Sequence, residues 1–386
     1  MQQKKVLIIS PLPTHPQNAA NRARVYLLSM VLKNIGFDVH FLFTGREKGD
    51  NAAMNAYWRD RIYYFNNTQK KTSILNRLQY LFYYFRYSPE EWKYNYLVDD
   101  WYDTALDNFI NEVQVKEPFD AVIVEYVFLS KALLNFGPDT LKLLDTHDIF
   151  SNRFALYLQN NQQPQWFSTY AHEEIKALNR ADIVIAVQHH EKEFFEKITN
   201  ARVIEVGHIL PFKHSERSNF EKTLLFVASH NPINRDGITV FIDTVFRKLS
   251  MQYPDAKLLI AGTICNVLNQ QNNIVLWGEF DEPDTVYGSA DIVINPVRFG
   301  TGINTKTIEA LCYGKPLVAT TPATRGLEDG RNKAFLVADT ADEFVAALSG
   351  LIENAGQRDM LQRNAEAFMH EYHQYNMSQL KAVLTL

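Results

Sequence analysis

Short β-branched runs alternate with longer helical stretches along the whole chain, and the alternation starts twice. Such a pattern belongs to parallel sheets covered by helices, because parallel strands are joined by crossover helices and are buried on both faces. The first series predicts strands over Lys5 to Ser10, Asp38 to Phe43, Ala121 to Glu125, Lys142 to Asp145, Asp182 to Val187 and Arg202 to Val206. The second predicts Thr223 to Ala228, Ala256 to Ala261, Ile274 to Leu276, Asp291 to Asn295, Pro316 to Thr320 and Ala334 to Val337. Late in each series Arg180 to Val187 and Ser289 to Pro296 echo one another, which points to two similar doubly wound domains. A chain of 386 residues is long for one core, so two domains of about 190 residues each are expected, divided in the polar stretch Pro211 to Lys222. In open sheets of this kind ligands bind at the carboxyl ends of the strands, and two facing domains make a cleft.

Composition narrows the class further. With 46% hydrophobic and 22% charged residues the chain reads as an ordinary globular protein, and its formal charge of −5 argues against general nucleic-acid binding. Cys265 and Cys312 stand in unrelated contexts, so neither a disulfide nor structural zinc is expected. The apolar run Val6 to Ile9 is too short for a signal peptide and ends at Pro11, and no run approaches a transmembrane length. The expected location is the cytoplasm, with the inner face of the cytoplasmic membrane as the alternative. That alternative rests on residues 57–102, which hold 16 of the 49 aromatic residues. There Ile74, Leu75, Leu78, Leu81, Phe82 and Phe85 recur at helical spacing beside Lys70, Lys71, Arg77 and Arg86. One reading is an amphipathic helix resting on an anionic membrane; the other, favoured because the aromatics do not keep to one face, is a helical insertion packed on the first domain and shaping a pocket there. Asp99 to Asp103 has the outward form of a D-x-D metal motif, but it is expected in a polar helical stretch rather than at a strand end, and no metal site is expected.

The segment Pro296 to Thr320 carries the chemistry. It reads as a strand end, a glycine loop with Gly300, Thr301 and Gly302, a helix from Thr305 to Tyr313 stopped by Gly314, and the next strand. Glycines let backbone N–H groups approach a ligand closely, and a helix N-terminus favours an anion such as a phosphate. Arg298 and Lys306 add two cations, while Glu309, three residues after Lys306 on one helix face, is placed to accept two sugar hydroxyls. A nucleotide-sugar diphosphate suits that combination.

This segment resembles the donor-site signature of GT-B glycosyltransferases of family 4, in the form R-x-G-x-G-x-x-x-K-x-x-E. Glu309 matches the second Glu of the usual two-Glu motif, whereas Thr301 stands where the common motif differs. The resemblance implies an α/β GT-B fold of two doubly wound Rossmann-like domains facing a cleft: residues 1–212 on the acceptor side, 213–368 on the donor side, and a helix over 369–386 crossing back. It implies transfer of a hexose from a nucleotide diphosphate, UDP- or GDP-linked, to an acceptor hydroxyl, with no cofactor, no metal and retention of configuration. The acceptor would be a glycan, lipid-linked or protein-linked, as in bacterial surface polysaccharide, glycolipid or glycoprotein assembly. Arg298 and Lys306 would stabilise the leaving diphosphate, Glu309 would hold the ribose, and the glycine loop would donate N–H groups.

Other residues are marked less sharply. His147, just after a predicted first-domain strand, matches the family's active-site His and would contact the reacting sugar or acceptor. Asp148 reads equally as fixing its tautomer, binding acceptor hydroxyls or, with Ser151, capping a helix. Arg235 and Asn231 lie in the loop where relatives carry phosphate-binding cations, and Gly278 lies in the loop that reads the base. Asn18 and Arg22 sit near the first loop, where Arg22 reads equally as an anion contact and as part of a solvated face. Two other functions share these features: a catalytically inactive glycan- or partner-binding subunit, suggested by Thr301 and the glycine-free first loop, and a nucleotide-sugar 2-epimerase, which would need carboxylates that the Arg298 loop lacks.

Overall fold

A computed structural model describes residues 3–66, 83–213, 219–280, 282–300 and 302–384. Thr301 and most of the predicted amphipathic run, including Ile74, Leu75, Leu78, Leu81 and Phe82, lie outside the described residues.

The chain divides into two compact units, Met1–Gly207 with Met377–Leu386, and His208–Asn376. The first holds β1 (Lys5–Ser10), β2 (Asp38–Phe43), β3 (Ile62–Tyr64), β4 (Ala121–Glu125), β5 (Leu141–Asp145), β6 (Ile183–Ala186) and β7 (Arg202–Glu205), in the spatial order β3-β2-β1-β4-β5-β6-β7. The second holds β8 (Thr223–Val227), β9 (Lys257–Ala261), β10 (Ile274–Gly278), β11 (Ile292–Asn295), β12 (Leu317–Ala319) and β13 (Leu336–Val337), in the order β10-β9-β8-β11-β12-β13. Strand pairs run parallel throughout both sheets. All twelve expected strands are present to within two residues at each end. The added strand, β3, is a three-residue edge element inside the aromatic-rich segment, too short to show a period.

Burial explains the register. In the second sheet Leu224, Phe226, Leu258, Ile260, Ile292 and Ile294 face one apolar cluster, and Leu225, Leu259, Ala261 and Val293 face another. Alternate residues thus enter cores on opposite faces, which requires helices on both. Strand order reverses between β1 and β4 in the first unit and between β8 and β11 in the second, and ligands of doubly wound sheets bind outside such switch points. The loops after β1, β4, β8 and β11 therefore frame the candidate sites. The boundary at Gly207 precedes the expected one, and the helix Ala355–Leu384 is shared, its residues to Asn376 belonging to the second unit and those from Met377 to the first.

Around Asp99 the structure corrects an expectation, because this stretch is a turn and not helical. The Asp99 carboxylate accepts two hydrogen bonds from Arg180, at 2.6 and 2.7 Å, and pairs with Lys176 at 3.0 Å. Asp100 and Asp103 accept backbone N–H groups of Leu97 and Ala105. These carboxylates anchor the turn. Tyr83 and Tyr170 pack together nearby with Leu97, while Tyr84, Phe85 and Trp92 are exposed.

The helix Pro232–Phe241, which follows β8, lies directly against the loop that follows β11. A Cβ on Gly237 would stand 2.7 Å from the Pro296 carbonyl oxygen and 3.2 Å from Val297 Cα, so only glycine permits this approach. Gly237→Ala is expected to shift the helix and to lower stability by about 1–3 kcal/mol. Denaturant unfolding checks it, and an unchanged midpoint would contradict the packing described.

Candidate functional site

In the second unit β11 ends at Asn295, whose buried side chain organises the loop beyond it. Its amide donates to Asn304 Oδ1 and Thr307 Oγ1, both at 2.9 Å. Thr307 donates in turn to the Ala323 carbonyl at 2.7 Å, the Thr320 hydroxyl to the Val297 carbonyl, and Arg325 to the Gly300 carbonyl at 2.9 Å. The glycine loop is thus pinned from three sides. Asn304 is the N-cap of the helix Thr305–Cys312 but makes no capping bond with its side chain, its oxygen being committed to Asn295. Among the described residues the N–H groups of Thr305 and Lys306 at the helix start therefore have no acceptor, whereas that of Thr307 donates to the Asn304 carbonyl at 3.0 Å.

Lys306 stands in that first turn. It has no hydrogen-bond or ion-pair partner among the described residues. Its ammonium is surrounded by enough protein that burial lowers its pKa to about 8, an effect only partly offset by Glu309. Burial pushes Glu309 up from the ordinary carboxylate range, against the Tyr287 hydroxyl, which donates to its Oε2 at 3.0 Å. Tyr287 is itself fixed by stacking on Tyr313, with ring centroids 4.3 Å apart, and Tyr313 donates to Asp284 at 2.5 Å. A cation with no bonded partner among the described residues, helix N–H groups and an oriented carboxylate are here the groups that an anion attached to a hydroxyl-bearing group would meet.

The remaining expected residues of this unit fall out differently. Arg298 is engaged: its Nε and Nη2 donate to both oxygens of Asp236 at 2.8 and 2.9 Å, so its charge is already balanced. Asp236 was legible as part of the loop after β8 but carried no signal that it would reach a residue 62 positions away. Arg235 is exposed on the helix that begins at Pro232, and Asn231 is that helix's N-cap, accepting from the Asn234 N–H at 2.8 Å. Gly278 closes β10 with a left-handed φ of 87° and accepts from the Gly262 N–H at 2.7 Å. Gly302 is partly buried in the loop before the helix.

In the first unit the site forms at the ends of β4 and β5. His147 follows β5 and has a left-handed φ of 66°, uncommon for a non-glycine residue. Its Nε2 lies 2.5 Å from Glu125 Oε2, and its ring stacks on Tyr126 at 4.0 Å between centroids. Tyr126, also at positive φ, receives a hydrogen bond from Asn21. Burial first, then the neighbouring Asp145, push Glu125 up from its ordinary pKa. With Nε2 held by Glu125, Nδ1 is the imidazole nitrogen left for a ligand. Strain retained at both His147 and Tyr126 is what functional positions tend to show.

Asp148 does not set the His147 tautomer, which corrects that alternative. Its Oδ2 accepts from Arg153 Nε at 2.9 Å and its Oδ1 from the Ile149 N–H at 2.8 Å. Glu125 takes the role, and it is found only through the sheet, where it is the register partner of Asp145. Ser151 is tied to the buried Glu174. Arg22 pairs with Glu47 at 2.7 Å, so its charge too is balanced, and Asn18 lies exposed in the loop before the first helix. Glu125, Asp145 and His147 offer ligand atoms within 4.8 Å of one another. Both oxygens of Asp145, however, accept from Arg24 at 2.8 Å, and that guanidinium already supplies the local positive charge.

Replacing Glu309 by Gln is expected to weaken nucleoside mono- and diphosphate binding alike, by about 1–3 kcal/mol, because a donor replaces one acceptor oxygen. Calorimetry showing unchanged affinity for every nucleotide would reduce Glu309 to a partner of Tyr287.

Known proteins share this fold. Residues 221–354 match the family model described as glycosyl transferases group 1. A protein of the cps region of Klebsiella pneumoniae, described only as uncharacterized, is 22% identical over 395 residues, an alignment covering 95% of this chain and 96% of that one. Among solved structures, TarM, known from S. aureus, superposes with a TM-score of 0.70 at 12% identity, covering 100% of this chain and 98% of the other. HepE of Anabaena, solved with UDP and glucose, superposes with a TM-score of 0.64 at 14% identity, covering 100% of both chains. The fold is that of the GT-B glycosyltransferases, two parallel Rossmann-like sheets each covered by helices.

Proposed function

We propose that this chain is a glycosyltransferase that moves a hexose from a nucleotide diphosphate sugar, UDP- or GDP-linked, to an acceptor hydroxyl in bacterial surface polysaccharide, glycolipid or glycoprotein assembly. The observation that carries the reading is Lys306, a cation with no partner among the described residues, in the first turn of a helix at the switch point of the second sheet, with Glu309 one turn on. A diphosphate would supply the missing negative charge and a ribose the missing hydroxyls. The matched glycosyl transferases group 1 region contains all these residues. The UDP-bound state of HepE and the cps-region origin of the Klebsiella relative support the donor class and the polysaccharide setting.

In the reaction the bond between the sugar's anomeric carbon and the diphosphate oxygen breaks, and one to the acceptor oxygen forms. The acceptor proton leaves with the diphosphate or through a base. Lys306 and the helix N–H groups meet the charge that develops on the leaving group, the kind of preorganised field that contributes most in many enzymes. His147, oriented by Glu125 and Tyr126, would contact the sugar or acceptor through Nδ1. Retention of configuration belongs to the proposal, and no cofactor or metal is required by it.

The second reading, an inactive binding subunit, is favoured by the Arg298–Asp236 pairing, which withholds one of the two expected cations. Incubation with UDP-, GDP- and dTDP-sugars, measuring released nucleoside diphosphate, decides between them. Release with at least one donor is expected, and none with any donor would favour the binding subunit.

A further inference from the structure

One cation of the first unit has no carboxylate bonded to it among the described residues, its neighbour Glu47 being held by Arg22. Arg46, three residues past the end of β2, lies 3.5 Å above the Trp101 ring and 5.5 Å from that of Phe128. The buried or partly buried arginines Arg22, Arg24, Arg153 and Arg180 each hold a carboxylate. Arg46 alone of this set has no hydrogen-bond or ion-pair partner among the described residues, and none of its nitrogens is sealed from solvent. Burial lowers its pKa to about 10, partly offset by the nearby Glu47 carboxylate, which still leaves it charged at neutral pH. Five N–H donors carried over an indole ring, with none of them hydrogen-bonded among the described residues, are able to receive a planar or tetrahedral anion in bidentate fashion.

The surroundings say what that anion is attached to. Trp101 meets Trp166 edge-on at 5.6 Å, Trp166 lies 6.3 Å from Tyr126, and Tyr126 stacks on His147. Trp166 is 40% exposed and Tyr96, 5.5 Å from Trp101, is equally so. Trp166 also has a φ of 67°, a strained conformation that survives where the surroundings enforce it. An aromatic strip thus runs from the His147 ring through the buried Tyr126 to the partly exposed Trp166 and Trp101 and the Arg46 guanidinium. Apolar faces of sugar rings pack on such surfaces, and their ring substituents reach flanking polar groups.

We infer that the aromatic pair Trp166–Trp101 binds a saccharide acceptor whose anionic substituent, a carboxylate or a phosphate, is held by Arg46. The inference rests on the transferase reading for the word acceptor, but not for the binding itself. The two indoles take the sugar ring, Arg46 selects the charged over the neutral saccharide, and His147 lies at the other end of the strip.

Ligand-observed saturation-transfer NMR on the full chain tests this without any nucleotide. The probes are glucuronate, its methyl ester and glucose 1-phosphate, titrated against wild type, Arg46→Gln and Trp166→Ala. Wild type is expected to bind at least one of the two anions about ten-fold more tightly than the ester, and which one identifies the anion. Arg46→Gln should abolish that preference while the ester still binds, and Trp166→Ala, at an exposed position, should weaken all three. Thermal melting reports the fold of each variant. Equal binding of charged and neutral probes by wild type, no binding of any, or an undiminished preference in a folded Arg46→Gln overturns the inference. If Arg46→Gln does not fold, Trp166→Ala decides alone, and undiminished binding of the anion then overturns it. Binding with this pattern in a protein that releases no nucleoside diphosphate would refute the transferase reading and leave the saccharide site standing.

Discussion

Lys306→Ala is expected to lower turnover by about two orders of magnitude, the 2–4 kcal/mol lost when one preorganised charge is taken from a leaving group in a shielded site. The protein itself should not suffer. Lys306 has a pKa of about 8 when folded, below the ordinary lysine value of 10.5 that approximates the unfolded chain. Between those values the unfolded chain binds the extra proton, so stability rises with pH there, and at pH 7 the whole cost of holding the charge is present. Removing it should leave the melting temperature at pH 7 the same or higher. Kinetics on the donor that wild type accepts, with melting on the same sample, checks both halves. Turnover within about two-fold of wild type would remove Lys306 from the site.

His147→Ala is expected to reduce transfer by about 10²-fold or more, the range for a positioned imidazole, with nucleotide affinity nearly intact because Lys306 and Glu309 belong to the other unit. Alanine leaves Glu125 buried without its partner and occupies a left-handed position poorly, so some stability should be lost as well. His147→Asn separates the effects, since asparagine tolerates that backbone. Loss of transfer in a His147→Asn protein that melts like wild type supports the acceptor-side role. Normal transfer with a lowered melting temperature would show that His147 only stabilises the fold.

What the sequence shows of this protein is what is local in it. The donor segment reads directly, because β11, the glycine loop, the helix from Thr305 and the stop at Gly314 are consecutive, and Lys306 and Glu309 share a face by helical spacing alone. Both sheets are legible from β-branched runs. What escapes depends on strand order. Glu125 and His147 are 22 residues apart and meet because β4 and β5 are neighbours; Arg24 and Asp145 are 121 apart and meet across the first switch point. Asp236 neutralises Arg298 because Gly237 lets its helix touch Pro296, a contact no spacing rule contains. The strip from His147 to Arg46 gathers residues from five separate segments, and only the fold reveals that Arg46 has no bonded carboxylate among the described residues.

Everything proposed for the donor side depends on Lys306 and its helix N-terminus receiving a nucleoside diphosphate. Calorimetric titration of UDP and GDP against their monophosphates, at pH 7 and pH 9 in buffers of different ionisation enthalpy, measures this. At pH 7 the free protein already holds the Lys306 proton, so one of the diphosphates should bind more tightly than its monophosphate with little proton uptake. At pH 9 that proton must be taken up on binding, and affinity should fall by up to about ten-fold per pH unit above the pKa. In Lys306→Ala both the diphosphate preference and the proton uptake should vanish. Equal affinity for mono- and diphosphates at pH 7, or no nucleotide binding at all, would contradict the assignment of Lys306 to the diphosphate.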